Sequence, residues 1–281
     1  MGPRVQILGA TRLARVVASY VTERRGARIV GIDPGDEHEG NPWFAPVRGL
    51  ARDNGAVLGR APADIVLDCD PDARPTVGDA PMLRVLAPAG AASPDLNRAL
   101  LTGGDWAMVF TSADGAGAWG TRPLDPAEVT ALDADALLDL ATTRAVEALD
   151  DGWEAMVAGA PVDPLPRPLV RGRFRAGESY LVWEQPAERL VARIRACAGP
   201  YGGARTHVGE AAVFLLDARL VASETPPGFD PGVIVRAEDA LEIATGRGVV
   251  RVERLRPGWR PARPAVVYAR EVGIGPGYQF S

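Results

Sequence analysis

Residues Tyr180 to Gly209 read YLVWEQPAERLVARIRACAGPYGGARTHVG. Tyr180-Leu181-Val182-Trp183 opens the stretch as a short β-rich run. Pro186 suits the first turn of a helix, where its missing N–H leaves no bond unmade. Ala187, Leu190, Val191 and Ile194 then recur at helical spacing and give one apolar face, with Arg189, Arg193 and Arg195 off it. Gly199-Pro200 stops the helix, Tyr201-Gly202-Gly203 imposes a turn, and Thr206 to Gly209 begin a new strand. Downstream, Ala211–Leu216 and Arg219–Ser223 pair as a hairpin, and Pro226-Pro227-Gly228 turns the chain. Three further short strands follow around Val233, Leu241 and Val250–Leu255. Short strands in this number with one helix predict a small OB-like barrel.

The same residues carry a resemblance. Trp183, Pro186-Ala187, Ile194-Arg195-Ala196, Pro200, Gly203-Ala204 and Thr206 follow the order seen in the C-terminal domain of the methionyl-tRNA formyltransferase family. Pro231 to Ile234, Leu241 to Gly246, Gly248 to Val250 and Leu255 to Gly258 continue it. The chain is similar to that family most clearly in its last third. The resemblance implies a formyltransferase-type domain ahead of the barrel. It also implies 10-formyltetrahydrofolate as formyl donor wherever the family's chemistry is retained.

Working outward to the N-terminus, Val5–Gly9 reads as a strand, Leu13, Val16, Val17 and Tyr20 as one face of a helix, and Ala27–Ile32 as a second strand. This β-α-β start predicts a doubly wound parallel sheet of Rossmann-like type. G-x-G-x-x-G is absent, which argues against a nicotinamide site. Ala45–Gly55 reads as a helix before a third strand at Ala56–Leu58. Asp64–Asp68 reads as a buried parallel strand, Met82–Ala87 as the next strand, and Pro94–Gly103 as a helix. Asp105–Thr111 is a strand, Leu124–Glu128 an acidic turn, and Ala136–Leu149 a long amphipathic helix. The expected organisation is an α/β domain over 1–160, a proline-rich linker over 161–170, the barrel over 171–270 and a Gly-rich aromatic tail over 271–281. That tail reads as a flexible segment or a dimer arm, which makes a homodimer one possible assembly.

Ligands of doubly wound sheets gather at the carboxyl ends of the strands. Asp68 and Asp70 end such a strand, with Cys69 between them, and are the best-placed carboxylates of the first domain. A solvated strand end is the alternative reading. Members of the resembled family carry Asn-x-His, then a Ser-Leu-Leu-Pro-like run and Arg-Gly, with an Asp further on. The amine must lose a proton as it attacks, the oxyanion needs donors, and the leaving nitrogen needs a proton. At the corresponding positions stand Pro81 and Leu83, then Val85-Leu86-Ala87-Pro88, then Ala91-Ala92. His38 and His207 are the chain's two histidines, and neither lies between residues 39 and 206. Ala118-Trp119-Gly120 takes the place of the Asp, and Asp114 lies nearby as a displaced substitute. The candidate catalytic residues are therefore Asp68, Asp70 and Asp114. Three functions stay open: a repurposed small-molecule enzyme, an N-formyltransferase with substituted residues, and a binding protein for a carrier protein or an aminoacyl-tRNA.

Composition narrows the chemistry. The 31 basic residues are all arginine, so a Schiff-base lysine and internal-aldimine PLP chemistry are excluded. Residues 1–165 hold 14 arginines against 24 acids and residues 166–281 hold 17 against 12, a modest basic footprint for phosphates. Two cysteines far apart read as buried small apolar residues. The acids before Ala136 read as helix-start charges; with no histidine nearby zinc is disfavoured, an oxygen-only magnesium site is the alternative, and no metal site is assigned. No apolar run approaches the ~20 residues that span a bilayer, and no leader precedes Val5, so a cytoplasmic location is expected.

Overall fold

The computed structural model describes residues 2–34, 44–69, 80–89, 96–169 and 176–281. They form two compact units. The first takes residues 1–99, 103–130 and 136–173, and the second 174–281 with the short segments 100–102 and 131–135. His38, Asp70, Ala91-Ala92, Pro94-Asp95 and Arg171, Arg173 and Arg175 lie outside the described residues.

The first unit is built on β1 (Arg4–Leu8), α1 (Arg12–Arg25), β2 (Arg28–Asp33), α2 (Arg48–Asp53), β3 (Val57–Leu58), β4 (Ile65–Asp68), β5 (Met82–Leu86) and α3 (Asn97–Thr102). It continues with β6 (Ala107–Thr111), β7 (Gly117–Pro123), α4 (Pro126–Thr130), α5 (Ala134–Val157) and β8 (Asp163–Pro164). The sheet order is β3-β2-β1-β4-β5-β6-β7-β8. Pairing is parallel from β3 to β5 and antiparallel from β5 to β8. The doubly wound half is thus as expected, and an antiparallel extension follows it. Pro126 to Thr130 is a helical turn rather than the acidic turn read from sequence. The proline-rich stretch contributes β8, whose Asp163 and Pro164 extend the sheet edge at Ala118 and Gly117.

Helix α1 shows how the sequence fixes the layer beneath the sheet. Thr11 caps it, accepting from the Ala14 N–H at 3.0 Å, and Gly26 ends it in the left-handed region at φ 58°. Leu13, Val17 and Val21 are fully buried. Tyr20 and Arg25 tie α1 to α5. Arg25 bonds the Tyr20 hydroxyl at 2.8 Å and Asp150 at 2.6 Å, and Tyr20 donates to Asp150. Burial, then the Asp150 bond, pushes the Tyr20 phenol up to about 12. A phenol whose folded pKa is raised adds stability that is complete below the ordinary value and lost as pH climbs through the folded one. An alkaline absorbance titration should therefore show one tyrosine ionising only near pH 12, and Tyr20→Phe should remove that step. Gly120 lets α5 lie directly on β7, since a Cβ there would sit 2.0 Å from the Ala148 carbonyl oxygen.

The second unit comprises α6 (Ala187–Cys197), β9 (Ala204–Val208), β10 (Ala211–Ala222), β11 (Ile234–Ala237), β12 (Leu241–Ala244), β13 (Val249–Pro257), β14 (Arg263–Pro264) and α7 (Ala265–Val272). The antiparallel order is β11-β12-β13-β10-β9, with β14 on β13. Leu190 and Ile194 of α6 pack with Val213, Leu215, Ile243, Val250, Val252, Leu255 and Phe280. The hairpin expected around Asp217-Ala218 is instead one strand, β10, with register shifts on both sides of Asp217. Bulges absorb the polar residue without turning the chain. Tyr180 makes a single bridge to Arg205, and Trp183 sits in a turn rather than a strand.

The tail is bonded to its own unit rather than flexible. Gly277 N–H bonds the Ile234 carbonyl, Ile234 N–H bonds that of Tyr278, and Phe280 N–H bonds that of Gly232, all within 2.8–2.9 Å. One residue on, His207 N–H donates to the Ser281 carbonyl at 2.7 Å. Residues 277–281 therefore bridge the run into β11 and β9, the two outer strands, and close the barrel. Trp183 Nε1 donates to Thr206 Oγ1 at 3.0 Å, and Thr206 Oγ1 donates to the Ser281 carbonyl at 2.9 Å. The family motif residues Trp183 and Thr206 are thus scaffold that locks the closing segment. Cys197 is buried in the same core, and burial raises its thiol to about 12. Alkylation at neutral pH should leave native Cys197 unmodified and label it only after unfolding, read by peptide mass spectrometry.

Candidate active site

In the first unit, β1 has β2 on one side and β4 on the other. The winding reverses there, and in doubly wound sheets ligands bind outside the carboxyl ends of the strands at such a point. Gly9 N–H bonds the Asp33 carbonyl at 2.8 Å, Cys69 N–H bonds that of Leu8 at 2.9 Å, and Thr11 Oγ1 donates to the Cys69 carbonyl at 2.7 Å. One threonine thus caps α1 and fastens the ends of β1 and β4 together.

Asp68 ends β4 at this crest, beside Leu8 of β1 and Met82 of β5. Its side chain is 1% exposed. Arg84, in the middle of the buried run Met82-Leu83-Arg84-Val85-Leu86, donates from Nη2 to Asp68 Oδ2 at 2.7 Å and from Nη1 to the Leu83 carbonyl at 3.1 Å. Sequence reading found Asp68 and overlooked Arg84. The available signal was the lone charge inside an apolar strand, because a buried guanidinium requires a carboxylate or carbonyl partner. Arg167 was likewise passed over as linker. Its guanidinium donates to the carbonyls of Ala87 and Asp105, just past the end of β5 and just before β6.

The other candidates are placed elsewhere. Asp114 sits exposed in the β6–β7 turn, accepting from Ser112 Oγ at 2.6 Å and Ala116 N–H at 3.0 Å. The Ser112 hydroxyl first, then the Ala116 N–H, hold its carboxyl below the ordinary range. Thr111 lies opposite Met82, which lies opposite Asp68, so the turn after Thr111 runs away from the crest. The structure does not bring Asp114 to Asp68. Leu83 is 1% exposed and Ala118 is 6% exposed. Trp119 bonds the Ala160 carbonyl at 3.0 Å and tilts against Phe110. His207 lies in β9 of the second unit, 3.5 Å from Arg205. Among the described residues no His/Cys/Asp/Glu group could hold a metal ion.

The arginines of the second unit are largely engaged. Arg251 pairs with Asp239 and Glu242, Arg263 with Glu271, and Arg219 with Glu253. Arg205 lies over the Tyr180 ring at 4.7 Å and Arg256 over Phe214 at 4.4 Å.

The comparisons agree with this architecture. Residues 173–271 match the formyl transferase C-terminal domain. Methionyl-tRNA formyltransferase of Halorhodospira halophila is 30% identical over 200 residues, covering 68% of this chain and 63% of that protein. The Heliobacterium modesticaldum enzyme of the same name is 31% identical over 169 residues, covering 56% and 51%. The chain thus matches between half and two thirds of the length of these relatives. HypX from Aquifex aeolicus, solved with tetrahydrofolic acid, shares the fold at TM-score 0.64 and 17% identity, covering 97% of this chain and 47% of that one. An N-formyltransferase from Helicobacter canadensis, solved with folinic acid and dTDP-3-aminofucose, aligns at TM-score 0.58 and 10% identity, covering 88% and 98%. No described helix is long and apolar enough to cross a membrane. By its matched C-terminal domain, its relatives and its fold, the chain belongs to the formyltransferase-like family.

Proposed function

We propose that this chain is a formyltransferase-scaffold enzyme of small-molecule chemistry whose reaction is not the histidine-assisted formyl transfer of the family. Its substrate class is an amine- or acyl-bearing small molecule, and cyclisation, dehydration and acyl rearrangement are the reactions that fit. The observation that carries this reading is the crest itself. Leu83 is packed into the core, and the buried Asp68–Arg84 pair stands at the end of β4. A carboxylate clamped by a guanidinium is a fixed charge that orients a substrate. Asp70, two residues further on in sequence, is the second candidate. Asp114, on the far side of the Asp68 level, is a weaker one. The fold's solved examples with tetrahydrofolic acid and folinic acid support a folate-class molecule as the first ligand to test at the crest.

An active N-formyltransferase is the second reading, favoured by the names of the relatives. Binding to a carrier protein or tRNA draws less support, since its one argument is a modest arginine excess over residues 166–281. Incubation with 10-formyltetrahydrofolate and a panel of amines, followed by mass spectrometry, separates the first two. The proposal expects no formyl increment on any amine; a formylated product formed by wild type and lost in Asp68→Asn would establish the second reading instead.

A further inference from the structure

Strand β9 alternates between the two faces of its sheet. Ala204 and Thr206 are buried, while Arg205 and His207 are half-buried and share the outer face. Arg205 differs from the other arginines in its partners. Its Nε is buried without a hydrogen-bond partner, as are those of Arg122, Arg144 and Arg251. Each of those three holds a carboxylate on the rest of its guanidinium, at 2.8, 2.9 and 2.5 Å. Arg205 holds none among the described residues. Its guanidinium lies over the Tyr180 ring at 4.7 Å. Its polar contact within the chain is Nη2 to His207 Nε2 at 3.5 Å, the outer limit of a hydrogen bond. The Tyr180 and His207 rings lie 6.2 Å apart, so a guanidinium, an imidazole and a phenol ring meet on one patch.

The neighbouring strands repeat the arrangement. Phe214 of β10 lies opposite Arg205, and Arg256 of β13 lies opposite Phe214 and over its ring at 4.4 Å. The Arg256 guanidinium donates to the Gly258 and Gly202 carbonyls at 2.6 and 2.8 Å, so its charge also lacks a carboxylate. Two guanidiniums on one face with no carboxylate between them repel each other, and a bound anion relieves that repulsion. The fork of Arg205 donates to two oxygens of an anion side by side, and the imidazole next to it calls for a third. A carboxylate or a phosphodiester has two free oxygens, whereas a terminal phosphate has three. We propose that Arg205 and His207 bind the terminal phosphate of a small phosphomonoester on the outer face of the second unit. This site is separate from the charged pair of the first unit and does not depend on which reaction occurs there.

The test uses the full chain and inorganic phosphate as probe, at fixed pH and ionic strength. The chain has two histidines, so the His207 imidazole signal in a carbon–proton spectrum is identified by its loss in His207→Gln. Phosphate should move that signal along a saturating curve in wild type. Arg205→Gln, which removes the charge, should bind about 10- to 100-fold more weakly. Arg205→Lys, which keeps the charge without the fork, should fall between the two. With no carboxylate to lose, phosphate-free Arg205→Gln should melt close to the wild-type temperature; a clear drop would show a structural role for Arg205 and overturn the inference. A shift that grows linearly with phosphate and never saturates would mean an adventitious ion only and overturn it too. So would wild-type affinity in Arg205→Gln. Dimethyl phosphate or a short RNA that moves the signal as readily as inorganic phosphate would assign the patch to a phosphodiester instead, and the terminal-phosphate reading would fall.

Discussion

Arg84→Met is expected to destabilise the first unit by about 3–5 kcal/mol. The substitution keeps most of the stem that packs inside β5 but leaves the Asp68 carboxylate, 1% exposed, without the guanidinium 2.7 Å away. An unpaired buried charge costs far more than the pair contributes, because the two ions together had already surrendered their hydration. Converting both residues, as Asp68→Leu with Arg84→Met, should therefore recover much of the loss. Calorimetry is the suitable measurement, since two units need not melt as one transition. The expected pattern is a large shift of one transition in the single variant and a smaller shift in the double. Equal shifts in the two would mean that the charges are not coupled.

Phe280→Ala should cost a comparable amount, about 3–5 kcal/mol, and confine it to the second unit. Phe280 is 2% exposed, and its ring lies 5.9 Å from that of Trp183. Its N–H bonds the Gly232 carbonyl at 2.9 Å beside the His207–Ser281 bond that joins the tail to β9. Emptying this position removes the apolar contact that holds the closing segment between β11 and β9. Hydrogen exchange should then rise at Ile234 and His207, whose N–H groups bond the tail, and remain low within β13. Phe280→Leu should lose less, in proportion to the volume left unfilled. Wild-type exchange at Ile234 in the alanine variant would show that the tail is dispensable to the barrel.

These outcomes bear on what the chain discloses before folding. The β-α-β start was legible because Leu13, Val16, Val17 and Tyr20 read as a helical stripe between two apolar runs; Leu13 and Val17 are buried, while Val16 is 43% exposed and Val21 takes its place in the core. The second unit was legible through its motif residues, and the structure gives the reason. Gly246 lies so close to the Glu184 carbonyl oxygen that a Cβ would sit 1.8 Å from it, and Trp183 and Thr206 bond in sequence to Ser281. These are packing requirements of the barrel and leave a signature independent of reaction. The antiparallel extension β6–β8 was not legible, because local periodicity does not state strand direction. The unbroken β10 was missed because Asp217 looks like a turn residue when its bulge cannot be seen. In the candidate site, Asp68 was visible as a strand-end carboxylate. Its partner Arg84 was not, since an ion pair between residues 16 apart is a property of the sheet register.

The measurement that bears most directly on the central claim is the single-turnover rate of formyl transfer from 10-formyltetrahydrofolate. It should be run beside the Halorhodospira halophila relative under the same conditions. With Leu83 in the core and no histidine anywhere between residues 39 and 206, this chain should fall short of the relative by at least about 10²-fold, the usual cost of one lost transition-state donor. A rate within a few-fold of the relative on any amine would contradict the account.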